Sequence, residues 1–149
     1  YISALTLTFI KLTGIIALMS IIVLVFIPSV FYQFVFGSEF GAVRMAIISL
    51  SPGVLFFSVS FVLSSYFSGT GKHYINTISS ISGLLVIILS SILLIPKFGI
   101  LGAGFSASFS YLITTLIKGI YFVKQTDFKI KQLLPHKDDV KDFILLIKK

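Results

Sequence analysis

Residues Ile75–Ile95 read INTISSISGLLVIILSSILLI, and the fold of the whole chain turns on how that stretch is taken. Its isoleucines, leucines and valine are apolar residues that would serve a buried strand in water. Strands are short, and the run shows no regular alternation of apolar and polar positions. A helix crossing the hydrocarbon core of a bilayer needs about 20 predominantly apolar residues, which this run supplies. With no water in that core, backbone N–H and C=O groups must pair within the structure, so a lone span is a helix rather than open sheet. Three further runs read the same way: Leu12–Phe34, Met45–Phe67 and Leu101–Val123.

Composition points to the same solvent. Hydrophobic residues make up 56% of the 149 positions and charged residues 11%. A soluble domain carries about a quarter charged residues because its surface faces water, and too little polar material is present here to build such a skin. The expected fold class is therefore an all-α membrane protein of about four antiparallel transmembrane helices. Short links at Gly37–Glu39, Ser68–His73 and Pro96–Gly99 make consecutive helices neighbours. Residues 1–124 form the membrane bundle and residues 125–149 a basic tail. The first run continues too far, and lacks the small-residue cleavage site, for a signal peptide. The chain opens at Tyr1 without methionine and is read as a fragment of something longer.

The formal net charge of +7 suggests nucleic acid only until the charges are located. They sit between and after the apolar runs, where basic residues meet lipid head groups and set orientation. No nucleic-acid partner is expected; membrane lipid is. Lys11, Lys72, Lys118, Lys124, Lys129 and Lys131 fall on one side, against Arg44 and Lys97 on the other. The first side is read as cytoplasmic, with both chain ends inside. In the tail, Val140, Phe143, Ile144 and Ile147 recur at helical spacing. Asp138 and Asp139 lie near the start and Lys148 and Lys149 at the end, as a helix dipole favours. With Pro135 in its first turn, this predicts a short amphipathic helix on the membrane surface.

Within the bundle, Gly102, Ser106 and Ser110 follow at i, i+4 and i+8, with Ala103 and Ala107 beside them. Lipid tails give helices no hydrophobic reason to associate, so close backbone approach must supply the attraction. These residues are read as a helix-packing stripe. Ser51, Ser58 and Ser65 form a weakly polar stripe on the second span, bordering a wet cavity or bonding neighbouring carbonyls. Pro52-Gly53 removes a helix hydrogen bond and loosens the backbone, predicting a kink, and Pro28 is expected to act likewise on the first span.

Ionisable groups at membrane depth are the best functional pointers in such a sequence. Lys118 lies six residues before Lys124, roughly 9 Å along a helix, so its stem can snorkel to the interface. Tyr111, Thr115 and Lys118 also share one helical face, which would make a cationic, substrate-contacting spot on a cavity. No acidic residue or histidine falls inside a span, and His73 and His136 stand apart, so neither a metal site nor a proton relay is expected. With no cysteine, thiol and disulfide chemistry is excluded. Ser68-Gly69-Thr70-Gly71-Lys72-His73 imitates a phosphate-binding loop, but Tyr66 replaces the leading glycine and His73 the closing hydroxyl. It reads as a turn. No catalytic residue and no cofactor is assigned.

Three segments together resemble a known family. Phe36-Gly37-Ser38-Glu39-Phe40 before an apolar helix, Tyr66-Phe67-Ser68-Gly69-Thr70-Gly71-Lys72, and Leu94-Ile95-Pro96-Lys97-Phe98-Gly99-Ile100-Leu101-Gly102-Ala103-Gly104 are similar to the C-terminal region of polysaccharide biosynthesis flippases. These belong to the multidrug, oligosaccharidyl-lipid and polysaccharide exporter superfamily. The resemblance implies the last part of a larger helical transporter in a bacterial cytoplasmic membrane. It also implies a substrate, an undecaprenyl-linked oligosaccharide moved between leaflets by alternating access, and a partner, the rest of the transporter chain. Family members line the central cavity with cationic residues, though no motif here places one. The rival expectations are a drug or cation exporter of the same superfamily and a non-transporting membrane scaffold with a lipid-binding tail.

Overall fold

The computed structural model describes residues 2–38 and 43–126, and every regular element among them is helical. The helices are α1 (Ile2–Phe26), α2 (Ser29–Phe36), α3 (Val43–Gly69), α4 (His73–Phe98) and α5 (Ile100–Thr126). All but α2 are long and apolar enough to cross a membrane. The chain is a multi-pass membrane protein. The amphipathic helix expected in the tail lies outside the described residues, apart from Gln125 and Thr126, which finish α5.

Burial is inverted relative to a soluble bundle. Large apolar side chains face outward along every helix, among them Met19, Phe34, Phe61, Leu89 and Leu93. The fully enclosed positions include Ser49, Ser79 and Ser106. One apolar cluster is buried: Ile10, Leu63, Phe67, Ile75 and Phe122, with Tyr66 meeting the Phe122 ring edge-on at 4.9 Å. It sits at the end of the bundle marked by Lys72, opposite the end marked by Gly99.

The first span departs from expectation. Its helix starts at Ile2 rather than near Leu12 and stops at Phe26, and Pro28 breaks it outright instead of bending it. Pro28 is in extended backbone (φ −67°, ψ 148°) and leads into α2. Proline has no N–H for the carbonyl four residues back, here Leu24. The buried Tyr32 hydroxyl donates to that Leu24 carbonyl at 2.9 Å, so α2 folds back to satisfy the group its own entry orphaned.

At the Lys72 end, α3 stops in a Schellman turn. Lys72 N–H donates to the Phe67 carbonyl (2.8 Å) and Gly71 N–H to that of Ser68 (3.2 Å), with Gly71 at φ +75°. Only glycine takes that conformation freely. The segment that imitates a phosphate loop is therefore a helix cap. Asn76 then ties α4 to α3, its amide donating to the Ser64 carbonyl and Ser68 hydroxyl, both at 3.1 Å.

Beyond this hairpin α3 and α4 separate, contrary to the expectation that sequence neighbours pack side by side. α5 runs between them and packs along both, while α1 lies against α3. Paired positions rise together between α3 and α5 (Phe56 with Thr115, Ser60 with Lys118), so these two are parallel. They run oppositely between α4 and α5 (Ser79 with Thr114, Gly83 with Ser110), so that pair is antiparallel.

Candidate functional site

The wedge position of α5 explains its composition. Two flanks must approach neighbours closely, and each carries small residues. Gly102, Ser106 and Ser110 are buried toward α4: a Cβ on Gly102 would strike the Leu94 carbonyl, and the Ser110 hydroxyl donates to the Gly83 carbonyl at 2.8 Å. Gly104 and Ser108 are buried toward α3, where a Cβ on Gly104 would meet the Ser49 side chain. Ala103 is exposed and Ala107 half-buried, so the second packing flank is Gly104–Ser108, not the alanines. The signal was present in the sequence, since Gly104 and Ser108 also stand four apart and glycine is smaller than alanine.

The serine stripe of α3 divides by role. Ser51, Ser58 and Ser65 donate to carbonyls of their own helix, those of Ile47, Leu55 and Phe61. The serines that engage α5 are others: Ser49 through its carbonyl, and Ser60 and Ser64 through their hydroxyls. Gly53 is buried and Pro52 exposed, both within the unbroken run of α3.

Where α3 and α4 part, a cleft of about 430 Å³ lies over α5. α3 contributes Phe57, Ser60, Phe61 and Ser64, and α4 contributes Ser80, Gly83, Leu84 and Ile87. The α5 wall is Ser110, Tyr111, Thr114 and Lys118. Two of the three residues singled out from sequence, Tyr111 and Lys118, therefore line one cavity. Thr115 does not: its hydroxyl lies 2.7 Å from the Phe56 carbonyl of α3 and from its own helix's Tyr111 carbonyl. The Tyr111 ring packs against Phe57 with centroids 5.0 Å apart.

Lys118 does not snorkel. Its side chain is 5% exposed, and its ammonium stops at α3, 2.9 Å from Ser60 Oγ and 2.6 Å from Ser64 Oγ. All five acidic residues of the chain (Glu39, Asp127, Asp138, Asp139 and Asp142) lie outside the described residues, so among the described residues this cation has no carboxylate to pair with. A buried charge normally has such a counter-ion. Two hydroxyl oxygens solvate it only in part, because an ammonium carries three donors. Sequence reasoning missed Ser60 and Ser64, although their spacing of four from one another puts both on one helical face. The cleft thus joins a polar, cationic floor to an aromatic and aliphatic rim. It is suited to a molecule with an anionic group and apolar or sugar-like parts.

At the Lys72 end a second lysine is engaged, Lys72 Nζ donating to Gln125 Oε1 at 2.7 Å and tying the α3–α4 turn to the end of α5. His73 opens α4 and is exposed.

Residues 3–146 match the family model described as polysaccharide biosynthesis protein. The chain belongs to that family. Over 110 residues, 74% of its length, this family member is 34% identical to the capsular polysaccharide biosynthesis protein CapF of Staphylococcus aureus. Over 126 residues, 85% of its length, it is 30% identical to an uncharacterized membrane protein of Methanocaldococcus jannaschii. These matches cover 28% and 23% of the two relatives, so the chain spans about a quarter of each. No solved structure matches it.

Proposed function

We propose that this chain is part of a flippase that carries an undecaprenyl-linked oligosaccharide across the bacterial cytoplasmic membrane for assembly of a surface polysaccharide. Its cleft would contribute to the substrate path. The observation that carries this reading is Lys118, a buried ammonium facing a cleft inside a membrane bundle with no acidic partner among the described residues. Keeping such a charge at membrane depth is costly, and groups of this kind mark substrate or ion pathways. The phosphate of a lipid-linked sugar supplies the missing negative charge. Membership of the polysaccharide biosynthesis family, and the likeness to a capsular polysaccharide biosynthesis protein, support the choice of substrate over a drug or cation. A cationic exporter substrate would be repelled by Lys118.

In this reading the Lys72 end faces the cytoplasm, in accord with the excess of lysine there. The test is made in the full gene. Deleting the segment leaves lipid-linked oligosaccharide stranded in the inner leaflet, and the cells lose their surface polysaccharide. Normal surface polysaccharide in the deletion strain rejects the proposal.

A further inference from the structure

In a regular α-helix the N–H of Gly53 bonds to the carbonyl of Ser49. Here a side chain from another helix bonds to both groups. Gly53 N–H donates to Ser108 Oγ at 3.1 Å, and the Ser108 hydroxyl donates to the Ser49 carbonyl at 2.9 Å. The neighbouring rung is missing, because Pro52 has no N–H to offer the Ile48 carbonyl. One rung of α3 is therefore missing, and a hydroxyl of α5 engages both ends of the next. The contact is close: a Cβ on Gly53 would lie 2.7 Å from Ser108 Cα.

We infer that Ser108 is a latch on a hinge in α3 at Pro52-Gly53, and that the latch has a second position. When Ser108 withdraws, Gly53 N–H pairs with the Ser49 carbonyl, and the freed hydroxyl turns to the carbonyl of Gly104, four residues back on α5. Ser106 already makes that kind of bond, donating to the Gly102 carbonyl at 2.8 Å. Gly53 N–H, the Ser49 carbonyl and the Ser108 hydroxyl each have a partner before the exchange and after it. In hydrocarbon, where no water can take up a released group, an exchange that keeps each of these groups paired is what lets a backbone alternate between two arrangements.

The hinge divides α3 unequally. Beyond it toward the Lys72 end, α3 is held to α5 by the Thr115 bond to the Phe56 carbonyl and by Lys118 on Ser60 and Ser64. The arm from Val43 to Ser51 bonds to α5 through Ser108 on the Ser49 carbonyl and packs its Ser49 side chain against Gly104. The moving part is this arm, at the Gly99 end, while the floor of the cleft stays fixed. The inference concerns motion of the chain alone and stands whether or not the substrate proposed above is right.

The test uses full-length protein in lipid nanodiscs, spin-labelled at Met45→Cys on the α3 arm and Phe98→Cys at the end of α4. Both positions are exposed. Pulsed electron–electron distance measurement without substrate is expected to give two distance populations. Ser108→Ala is expected to deplete the population of the latched arrangement at least fivefold. Pro52→Ala, which returns the missing donor to the Ile48 carbonyl, is expected to collapse the two populations into one and covers the case in which Ser108→Ala fails to fold. A single narrow distance in the unmodified protein overturns the inference, as do two populations that neither substitution redistributes.

Discussion

Replacing Lys118 with methionine separates a functional lysine from a structural one. The side chains are of similar length, so the change removes the charge and both bonds to Ser60 and Ser64 while leaving the space filled. Lysine at the centre of a membrane helix costs about 2.5–3.5 kcal/mol on insertion scales. The midpoint of Ile100–Thr126 is residue 113, so Lys118 stands five residues, roughly 7–8 Å, from the centre, and the cost falls to about 2 kcal/mol. Interhelical hydrogen bonds in membranes average ~0.6 kcal/mol, so the two together return about 1 kcal/mol. The lysine is thus a net liability of about 1 kcal/mol, and Lys118→Met should leave the protein as stable as before or about 1 kcal/mol more so. Transport should move the other way. A lost bond to a charged group is worth about 1.5–3 kcal/mol, which at 1.4 kcal/mol per decade is a decrease of roughly 10- to 150-fold. Thermal denaturation in detergent reads the first quantity, and flipping of a labelled lipid-linked oligosaccharide in proteoliposomes reads the second. Flipping at the original rate, or destabilisation beyond about 1 kcal/mol, would refute the reasoning and make Lys118 a strut.

Two other substitutions probe the frame around the cleft. Tyr32→Phe strips the hydroxyl from the Leu24 carbonyl that Pro28 leaves bare, and a carbonyl left unpaired in hydrocarbon costs about 1–3 kcal/mol. The expected result is a lower melting temperature, with cleavage by added protease appearing first around residues 27–28. Gly83→Ala pushes a methyl group against the hydroxyls of Ser110 and Thr114 and disturbs the Ser110 bond to the Gly83 carbonyl. It should cost about 0.6–1.7 kcal/mol, whereas Gly119→Ala, inside α5 with nothing within 4 Å of the added carbon, should leave the melting temperature unchanged or raise it.

The spans were legible because bilayer thickness imposes a length that an apolar run either meets or fails. Their contacts were less so. Nothing in residues 45–95 says that α3 and α4 diverge after Asn76, since the hairpin turn fixes their direction and not their spacing. The stripe at Gly102, Ser106 and Ser110 was visible, yet a single stripe implies a single partner, and α5 has two. Gly104 and Ser108 were passed over because a sequence displays one periodicity where a wedge requires two. Pro28 was taken for a bend because a proline's missing N–H looks alike in a kinked helix and a broken one. What distinguishes them is Tyr32 reaching back to Leu24, a contact eight residues long. Lys118 could be singled out from its place in the last span, but the direction of a lysine stem depends on where hydroxyls of another helix stand, and Ser60 lies 58 residues away.

The place of α5 between its two predecessors has a bearing on synthesis. A ribosome delivers the α3–α4 hairpin to the membrane before the helix that holds its arms apart exists. Until α5 arrives, the Ser49 and Gly83 carbonyls face lipid or an insertase rather than the hydroxyls of Ser108 and Ser110. A nascent chain halted at Gly99 therefore presents a half-built surface, and the cell's membrane proteases should recognise it where they ignore the finished protein.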